Sequence, residues 1–176
     1  MFQLKCNNEF YLNALISLFS QKNLDFYKQN YQKKFCVINF KVRSSNFVIK
    51  CNEKSKEINL PTDFGTLFEI VISLISDIGF SYQEIKYYPL KQVLVKQNKK
   101  SFLKNIHNII FKNIFFNELP GIERIELYKK VWPFDKDIQI NKLDTHLTNL
   151  KHHLSRDLDC DFKFITNAGK VMLITD

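Results

Sequence analysis

The clearest hydrophobic pattern in the chain lies near its C-terminus, where leucines recur at a helical spacing. Within residues 140–154 the spacings are four, three and four, which predicts one narrow apolar stripe along a helix. The stripe consists of Leu143, Leu147, Leu150 and Leu154. The opposite face holds amides, hydroxyls, an imidazole and a guanidinium: Asn141, Thr145, Thr148, Asn149, His152 and Arg156. This helix therefore buries one side and offers hydrogen-bonding and cationic groups on the other.

Two interpretations fit that polar face. An amphipathic helix with a solvated polar side is the plainer one, and residues 140–154 alone favour it. Such a face also suits the major groove of a DNA duplex, where bases present hydrogen-bonding edges and phosphates present charge. Asp144 is the only acid within residues 140–154, and we expect it to point sideways, near Lys151.

The segments on either side of this helix bear on the choice between these two interpretations. Residues 122–132 predict a shorter amphipathic helix that ends before Pro133, with three residues to bury: Ile122, Ile125 and Leu127. Residues 162–174 contain two β-rich runs interrupted at 167–169, the pattern of a hairpin. Helix, loop, leucine-striped helix and terminal hairpin together predict a winged helix-turn-helix.

In these residues the chain resembles the effector domain of OmpR/PhoB-type response regulators. The run LDTHLTNLK, residues 143–151, is similar to that family's recognition helix. Val131 and Trp132 precede the run, and Ile165, Thr166 and Gly169 follow it, in the family's order. The resemblance covers roughly the last 95 residues. It implies a bacterial DNA-binding regulator whose helix 140–154 enters the major groove, and with it the DNA-binding interpretation is favoured.

The resemblance also implies which side chains meet double-stranded DNA. Those expected to read bases are Asn141, Thr145, His146 and Asn149. Those expected to contact the DNA backbone are Trp132, Lys142, Thr148, Lys151 and Thr166, with Lys170 the cation nearest the wing tip. Asn149, Lys151 and Ala168 stand where the family commonly has arginine. Because arginine makes bidentate contacts, we expect lower affinity or a different target sequence.

The first 78 residues predict a small α/β domain in the order β-α-β-β-β-β-α. The strands are predicted at 2–6, 24–27, 35–40, 47–51 and 56–60, and the helices at 10–20 and 64–75. The continuous apolar runs 35–40 and 47–51 favour strands that are covered on both faces. The ending, from Leu60-Pro61 to Val71, resembles the last strand and helix of a shortened receiver domain.

A receiver domain needs acids that hold Mg²⁺, an aspartate that accepts phosphate and a lysine that neutralises it. Here Asn7 and Asn8 follow the first strand, Asn39-Phe40 ends the next long strand, and Leu60 precedes Pro61. We therefore predict a degenerate domain that accepts no phosphate and serves folding, dimerisation or partner binding.

Gly79 marks the predicted boundary between a domain at 1–78 and a winged helix-turn-helix domain at 79–176. Between the boundary and the helix-turn-helix, residues 80–85 and 90–95 predict strands, and residues 98–115 predict a long helix. The predicted fold is therefore an α/β domain followed by an α+β winged-helix domain.

Composition adds a basic balance, with a net charge of +8 and a pI near 9.2. Residues 1–78 carry ten basic against seven acidic side chains, and residues 79–176 carry sixteen against eleven. This balance fits a polyanionic partner. The four cysteines form no CxxC pair, which favours reduced thiols in the cytoplasm. No stretch approaches the ~20 apolar residues of a membrane span.

The sequence gives little indication of a metal site or of catalysis. His146 and His153 share a helix flank without a third metal ligand at suitable spacing, so contact with solvent or phosphate is favoured over a metal site. Asp157, Asp159 and Asp161 lack the pattern of a calcium loop and predict a solvated turn. We expect no cofactor and no enzymatic activity.

The sequence thus predicts a phosphorylation-independent transcriptional regulator. Its expected partners are double-stranded DNA, a second copy of the chain through the N-terminal domain, and RNA polymerase as a further candidate. The alternative is a protein-interaction adaptor whose winged helix no longer binds DNA, which the missing arginines favour.

Overall fold

The computed structural model describes residues 2–21, 36–60, 62–117 and 121–175. The chain divides into two compact units, Met1–Ile78 and Gly79–Asp176. The strand predicted at 24–27 lies outside the described residues.

In its described residues, the first unit has a four-stranded sheet and two helices. Strands β1 (Phe2–Cys6), β2 (Cys36–Val42), β3 (Asn46–Cys51) and β4 (Lys54–Asn59) lie in the order β1-β2-β3-β4. The helices are α1 (Glu9–Gln21) and α2 (Phe64–Ile75). The Oδ1 atom of Asn8 accepts a hydrogen bond from the Tyr11 amide at 3.2 Å. The Asp63 side chain accepts one from the Thr66 amide at 2.8 Å. These bonds satisfy amides that have no partner within a helix, so each helix begins where its capping residue stands.

One face of this sheet is covered and the other is exposed. Ile38, Phe40, Phe47 and Ile49 are buried, whereas Asn39, Lys41 and Lys50 between them are exposed. The two helices contact each other through Phe19 and Phe68, and Tyr11 of α1 packs on Phe47. The prediction that β2 and β3 are covered on both faces is therefore wrong. Antiparallel strands with one solvated face alternate in this way, and here the exposed positions carry polar side chains.

The described strands also differ from those of a receiver. β1 and β2 run parallel, but β2–β3 and β3–β4 are antiparallel. A receiver sheet is parallel, with helices on both faces. Asn39 lies within β2 and not at its end. Asn7 does follow β1, where its side chain donates to the Val42 carbonyl at 3.0 Å and accepts from the Val42 amide at 2.7 Å. The unit is thus a mixed α/β structure of mostly antiparallel strands.

The second unit begins with an antiparallel sheet of four strands where the sequence predicted two. These are β5 (Phe80–Tyr82), β6 (Ile85–Tyr88), β7 (Val93–Lys96) and β8 (Lys99–Phe102). The helix predicted from residue 98 begins only at Asn105. Lys96 pairs with Lys99, so Gln97 and Asn98 form a tight turn, with Gln97 at a φ of 52°. Phe102 consequently leaves the core and is 66% exposed.

The remaining elements have the order of a winged helix. They are α3 (Asn105–Phe116), β9 (Ile122–Glu123), α4 (Arg124–Val131), α5 (Ile140–Leu158), β10 (Phe162–Asn167) and β11 (Lys170–Thr175). The last sheet has the order β10-β11-β9. Ile122, predicted on a helix, lies in β9 opposite Val171. Ile125, predicted to be buried, is 53% exposed, because α4 begins two residues later than the pattern indicated.

The leucine stripe forms the centre of this unit, as the sequence predicted. Leu143, Leu150 and Leu154 are fully buried and Leu147 is 7% exposed. Leu158 continues the stripe, because α5 extends four residues beyond the predicted end. Asp157 therefore lies on the helix and not in a solvated turn. Aromatic residues of α3 complete the core, with Phe111 and Phe115 packed on Tyr87.

Candidate nucleic-acid interface

The exposed face of α5 carries no carboxylate. Its exposed residues are the six that the leucine spacing placed opposite the stripe: Asn141, Thr145, Thr148, Asn149, His152 and Arg156. The Thr145 hydroxyl donates to the Asn141 carbonyl at 2.9 Å, and its oxygen can still accept. The rest of the face offers side-chain amides, a hydroxyl, an imidazole and a guanidinium to whatever lies against it.

Both acids of α5 are turned away from this face into contacts within the unit. Asp144, which the sequence placed sideways near Lys151, accepts a hydrogen bond from Arg124 at the start of α4. Asp157 accepts from the Ser101 hydroxyl and lies beside His153, both at 2.9 Å. These contacts tie α5 to α4 and β8, and they pair both carboxylates with groups inside the unit.

Trp132 and Lys142, both predicted to contact the DNA backbone, belong to one cluster at the start of α5. The Lys142 ammonium lies 4.3 Å from the centre of the Trp132 ring and 2.9 Å from the Asp135 carboxylate. The Tyr128 hydroxyl donates to the same carboxylate at 2.7 Å. Hydrogen bonds from Tyr128 and Lys142 lower the pKa of Asp135. The charge of Lys142 is therefore partly neutralised, and its position is fixed.

His146 belongs to a group of three histidines, of which the sequence connected only His146 and His153. Its ring lies 5.3 Å from Trp132 and 5.7 Å from His107 of α3, and His107 lies 6.3 Å from His153. Burial lowers the pKa of His107, and His146, His153 and Lys104 lower it further. Burial and then Lys142 lower the pKa of His146. His146 is half-buried between α3 and Trp132, so it is packed and not freely solvated.

The other predicted contact residues lie apart from this cluster. Lys151 is half-buried on a flank of α5. Thr166 is exposed on β10, opposite Val171. The hairpin turns at Ala168 and Gly169, both at positive φ, and Lys170 lies 3.8 Å from Glu123. The wing therefore presents a hydroxyl, and its nearest cation is partly neutralised.

Three residues of this region were not among those predicted from the sequence. Tyr128 and Asp135 position Lys142, and His107 lies against His146 although it belongs to α3. The alternation of acid and base in residues 135–142 was the available signal for the Asp135–Lys142 pair, but only the loop geometry brings the two together.

The described residues give no sign of a metal centre: no group of three or more histidine, cysteine or acidic side chains among them could hold an ion. Cys6, Cys51 and Cys160 are free thiols. Within the same described ranges, no helix has the length and apolar character to cross a bilayer.

Comparison with known proteins adds two structural similarities. No protein-family model and no curated protein sequence matches the chain. The C-terminal domain of the nisin resistance regulator NsrR, a lantibiotic response regulator, is 17% identical with a TM-score of 0.43. That match covers 53% of this chain and 93% of NsrR's domain. The DNA-binding domain of E. coli CadC is 13% identical with a TM-score of 0.43, over 53% of this chain and 86% of that one.

Proposed function

We propose that this chain is a sequence-specific DNA-binding transcriptional regulator that places α5 in the major groove. The supporting observation is the exposed face of α5, which has amides, hydroxyls and cations, while both of its acids are held in contacts elsewhere. A carboxylate on this face would be repelled by phosphate, and on the base edges it could accept only from the amino groups of cytosine and adenine. If this face only met solvent, carboxylates on it would not be disfavoured.

The proposed roles follow the positions of the side chains. Asn141, Thr145 and Asn149 are exposed and read bases, since an asparagine amide can pair with the N6 and N7 edge of adenine. His146 lies beside them but packs on Trp132, so it aids orientation more than base reading. The residues that contact the DNA backbone are Trp132, Lys142, Thr148, Lys151, Thr166 and Lys170.

The first unit acts without phosphorylation in this proposal. Asn7 and Asn8 follow β1 and make hydrogen bonds to the backbone, where a receiver would hold Mg²⁺ with acids. Beryllofluoride and Mg²⁺ added to the full chain should shift no amide resonance of residues 2–21 or 36–60. A stoichiometric, Mg²⁺-dependent shift there would refute phosphorylation independence.

The same unit provides the contact between two copies of the chain. Strand β4 lies at the edge of the sheet, and five of its six side chains are exposed. Backbone groups along an edge strand are available for pairing with another strand. Sedimentation of the full chain should show a dimer, with cross-links between copies within residues 36–60. A monomer, or cross-links confined to the second unit, would refute this contact.

The function is tested by electrophoretic shift of the full chain with random genomic fragments at two salt concentrations. Binding should weaken steeply with salt, and a subset of fragments should survive at the higher concentration. The contrary result is no retardation at the lower salt.

A protein-interaction adaptor is the second candidate. It is favoured by the pairing of Lys142 with Asp135 and of Lys170 with Glu123, which reduces the positive charge available to DNA. Phe134, beside the first of these pairs, is 94% exposed and could be buried by a protein partner. A folded chain that fails to retard DNA would favour this candidate.

A further inference from the structure

The second unit has a surface cavity of about 660 Å³ where the start of α3 meets the later turns of α5. Six of the residues that line it carry side-chain N–H donors: Lys104, His107, Asn149, His152, His153 and Arg156. Among the described residues that line the cavity, none is a carboxylate.

The donors come from the start of α3 and from α5. Lys104 directly precedes α3, and its side chain makes no capping bond there. His153 and Arg156 both lie 2.9 Å from Asp157, which stands behind the lining. The Asp157 carboxylate also accepts from Ser101, so it is anchored to β8. Arg156 remains 77% exposed and keeps donors for a ligand.

This lining matches the chemistry of a phosphate group. A phosphate presents several anionic acceptor oxygens, whereas a guanidinium and an ammonium present only donors. A cation would be repelled, and a neutral ligand would make no use of the charge of Lys104. The volume lies within the range of about 300–1,000 Å³ that is typical of small-molecule sites. The cavity is therefore large enough for a molecule larger than phosphate itself.

We propose that this cavity binds a phosphate group carried on a larger molecule, either the DNA backbone or a phosphorylated small molecule. The DNA source rests on the proposed function, because Asn149 belongs both to the exposed face of α5 and to the cavity. The small-molecule source is independent of that function and would make the cavity an effector site on the same helix.

His107 supplies a readout that a merely structural cavity would not give. Its pKa is lowered by burial and by His146, His153 and Lys104. A bound anion introduces the opposite charge, so it raises the pKa of His107 back towards the ordinary value.

The test uses NMR of the histidine rings in the full chain, with pyrophosphate as the titrant. Saturable shifts are expected for His107, His152 and His153, together with a raised pKa of His107. Replacing Lys104 and Arg156 together by glutamine should weaken binding about tenfold or more, since each removes a charge-assisted hydrogen bond. His152→Gln, a change of one exposed side chain, should weaken it less.

Lys50→Gln is the matched control, because it removes one exposed charge from the first unit. This variant should bind pyrophosphate like the parent. The proposal is overturned by an absence of saturable shifts. It is equally overturned if Lys50→Gln weakens binding as much as the cavity variants while all of them keep their amide dispersion.

A second titration, with duplex DNA, distinguishes the two sources. If DNA moves the same histidine signals and pyrophosphate competes with it, the bound phosphate belongs to the DNA backbone. If pyrophosphate binds equally well with and without DNA, the ligand is a phosphorylated small molecule. Pyrophosphate binding in a chain that does not bind DNA would uphold the cavity and refute the proposed function.

Discussion

The two units of this chain bury apolar residues in comparable ways but expose different chemistry. In the first unit, exposed positions mix both signs: strand β4 alone presents Lys54, Lys56 and Glu57. In the second unit, α5 presents six exposed residues without a carboxylate. Their net charges, +3 for residues 1–78 and +5 for residues 79–176, differ little. The two units therefore differ more in the placement of their acids than in their net charge.

The largest effect should come from the buried side of α5. Leu150→Ala removes a fully buried side chain and should lower the free energy of unfolding by about 2–5 kcal/mol. Denaturant unfolding, followed by Trp132 fluorescence, measures this loss. Its neighbour Asn149 is exposed, so Asn149→Ala should leave stability within about 0.5 kcal/mol of the parent. Equal losses for both variants would mean that α5 does not have the described faces.

A substitution on the exposed side of α5 should change the affinity for DNA. Asn149→Ala should cost roughly 1–3 kcal/mol on the preferred site and little on random DNA, because it removes a bidentate base contact. Fluorescence anisotropy with the two duplexes measures the difference. Asn39→Ala, an exposed asparagine of the first unit, is the control and should change neither affinity. An equal loss on both duplexes would contradict base reading by Asn149.

Removing the carboxylate of Asp135 should strengthen DNA binding, where the previous change weakens it. Asp135→Asn takes away the acid 2.9 Å from Lys142, so binding to all DNA should tighten and the log–log salt slope should steepen by up to about one. Asp77→Asn is a matched control, because Asp77 pairs with Lys54 of the first unit at the same distance. Identical effects of the two variants would show that only net charge matters.

The hairpins of the two units differ at one turn position. Asn52, between β3 and β4, has a φ of 53°, and Ala168, at the wing tip, has a φ of 47°. Asparagine tolerates this left-handed conformation better than alanine does. Ala168→Asn should therefore raise the free energy of unfolding by up to about 1 kcal/mol, measured by denaturant unfolding. A loss of stability would contradict the described turn.

The smallest expected effect is a pH dependence of stability that comes from the histidines, all of which lie in the second unit. The pKa values of His107 and His146 lie below the ordinary 6.5, so the unfolded chain takes up protons first as pH falls. Stability is therefore complete above about pH 6.5 and declines as pH falls through the lowered values. His107→Gln should flatten this decline in the denaturant midpoint, and His152→Gln should preserve it. An unchanged decline in His107→Gln would contradict this assignment.

The sequence predicted what depends on periodicity. Four leucines at helical spacing gave α5 its buried side and its exposed residues, and the two runs around residues 167–169 gave the hairpin. Those features follow from local pattern because a helix or a hairpin places residues by their spacing alone.

The sequence failed where a turn lacks its usual residues. Gln83 and Gln97 adopt positive φ values of 50° and 52°, a conformation in which glycine or asparagine is expected. Their turns are therefore not predicted, and the apolar residues Phe102 and Leu103 are predicted to lie in a helix that begins at residue 98. Tertiary pairs such as Asp135–Lys142 and Arg124–Asp144 could not be predicted, since spacing does not show which loop residue meets which helix.

The proposed function requires that the exposed face of α5 is the surface that meets DNA. An amide NMR map of the full chain, titrated with duplex DNA at low salt, measures this directly. The largest shifts are expected on residues 141–152 and on the wing around Thr166, with the first unit little changed. Shifts concentrated in the first unit, or a folded chain with no shifts at all, would contradict it.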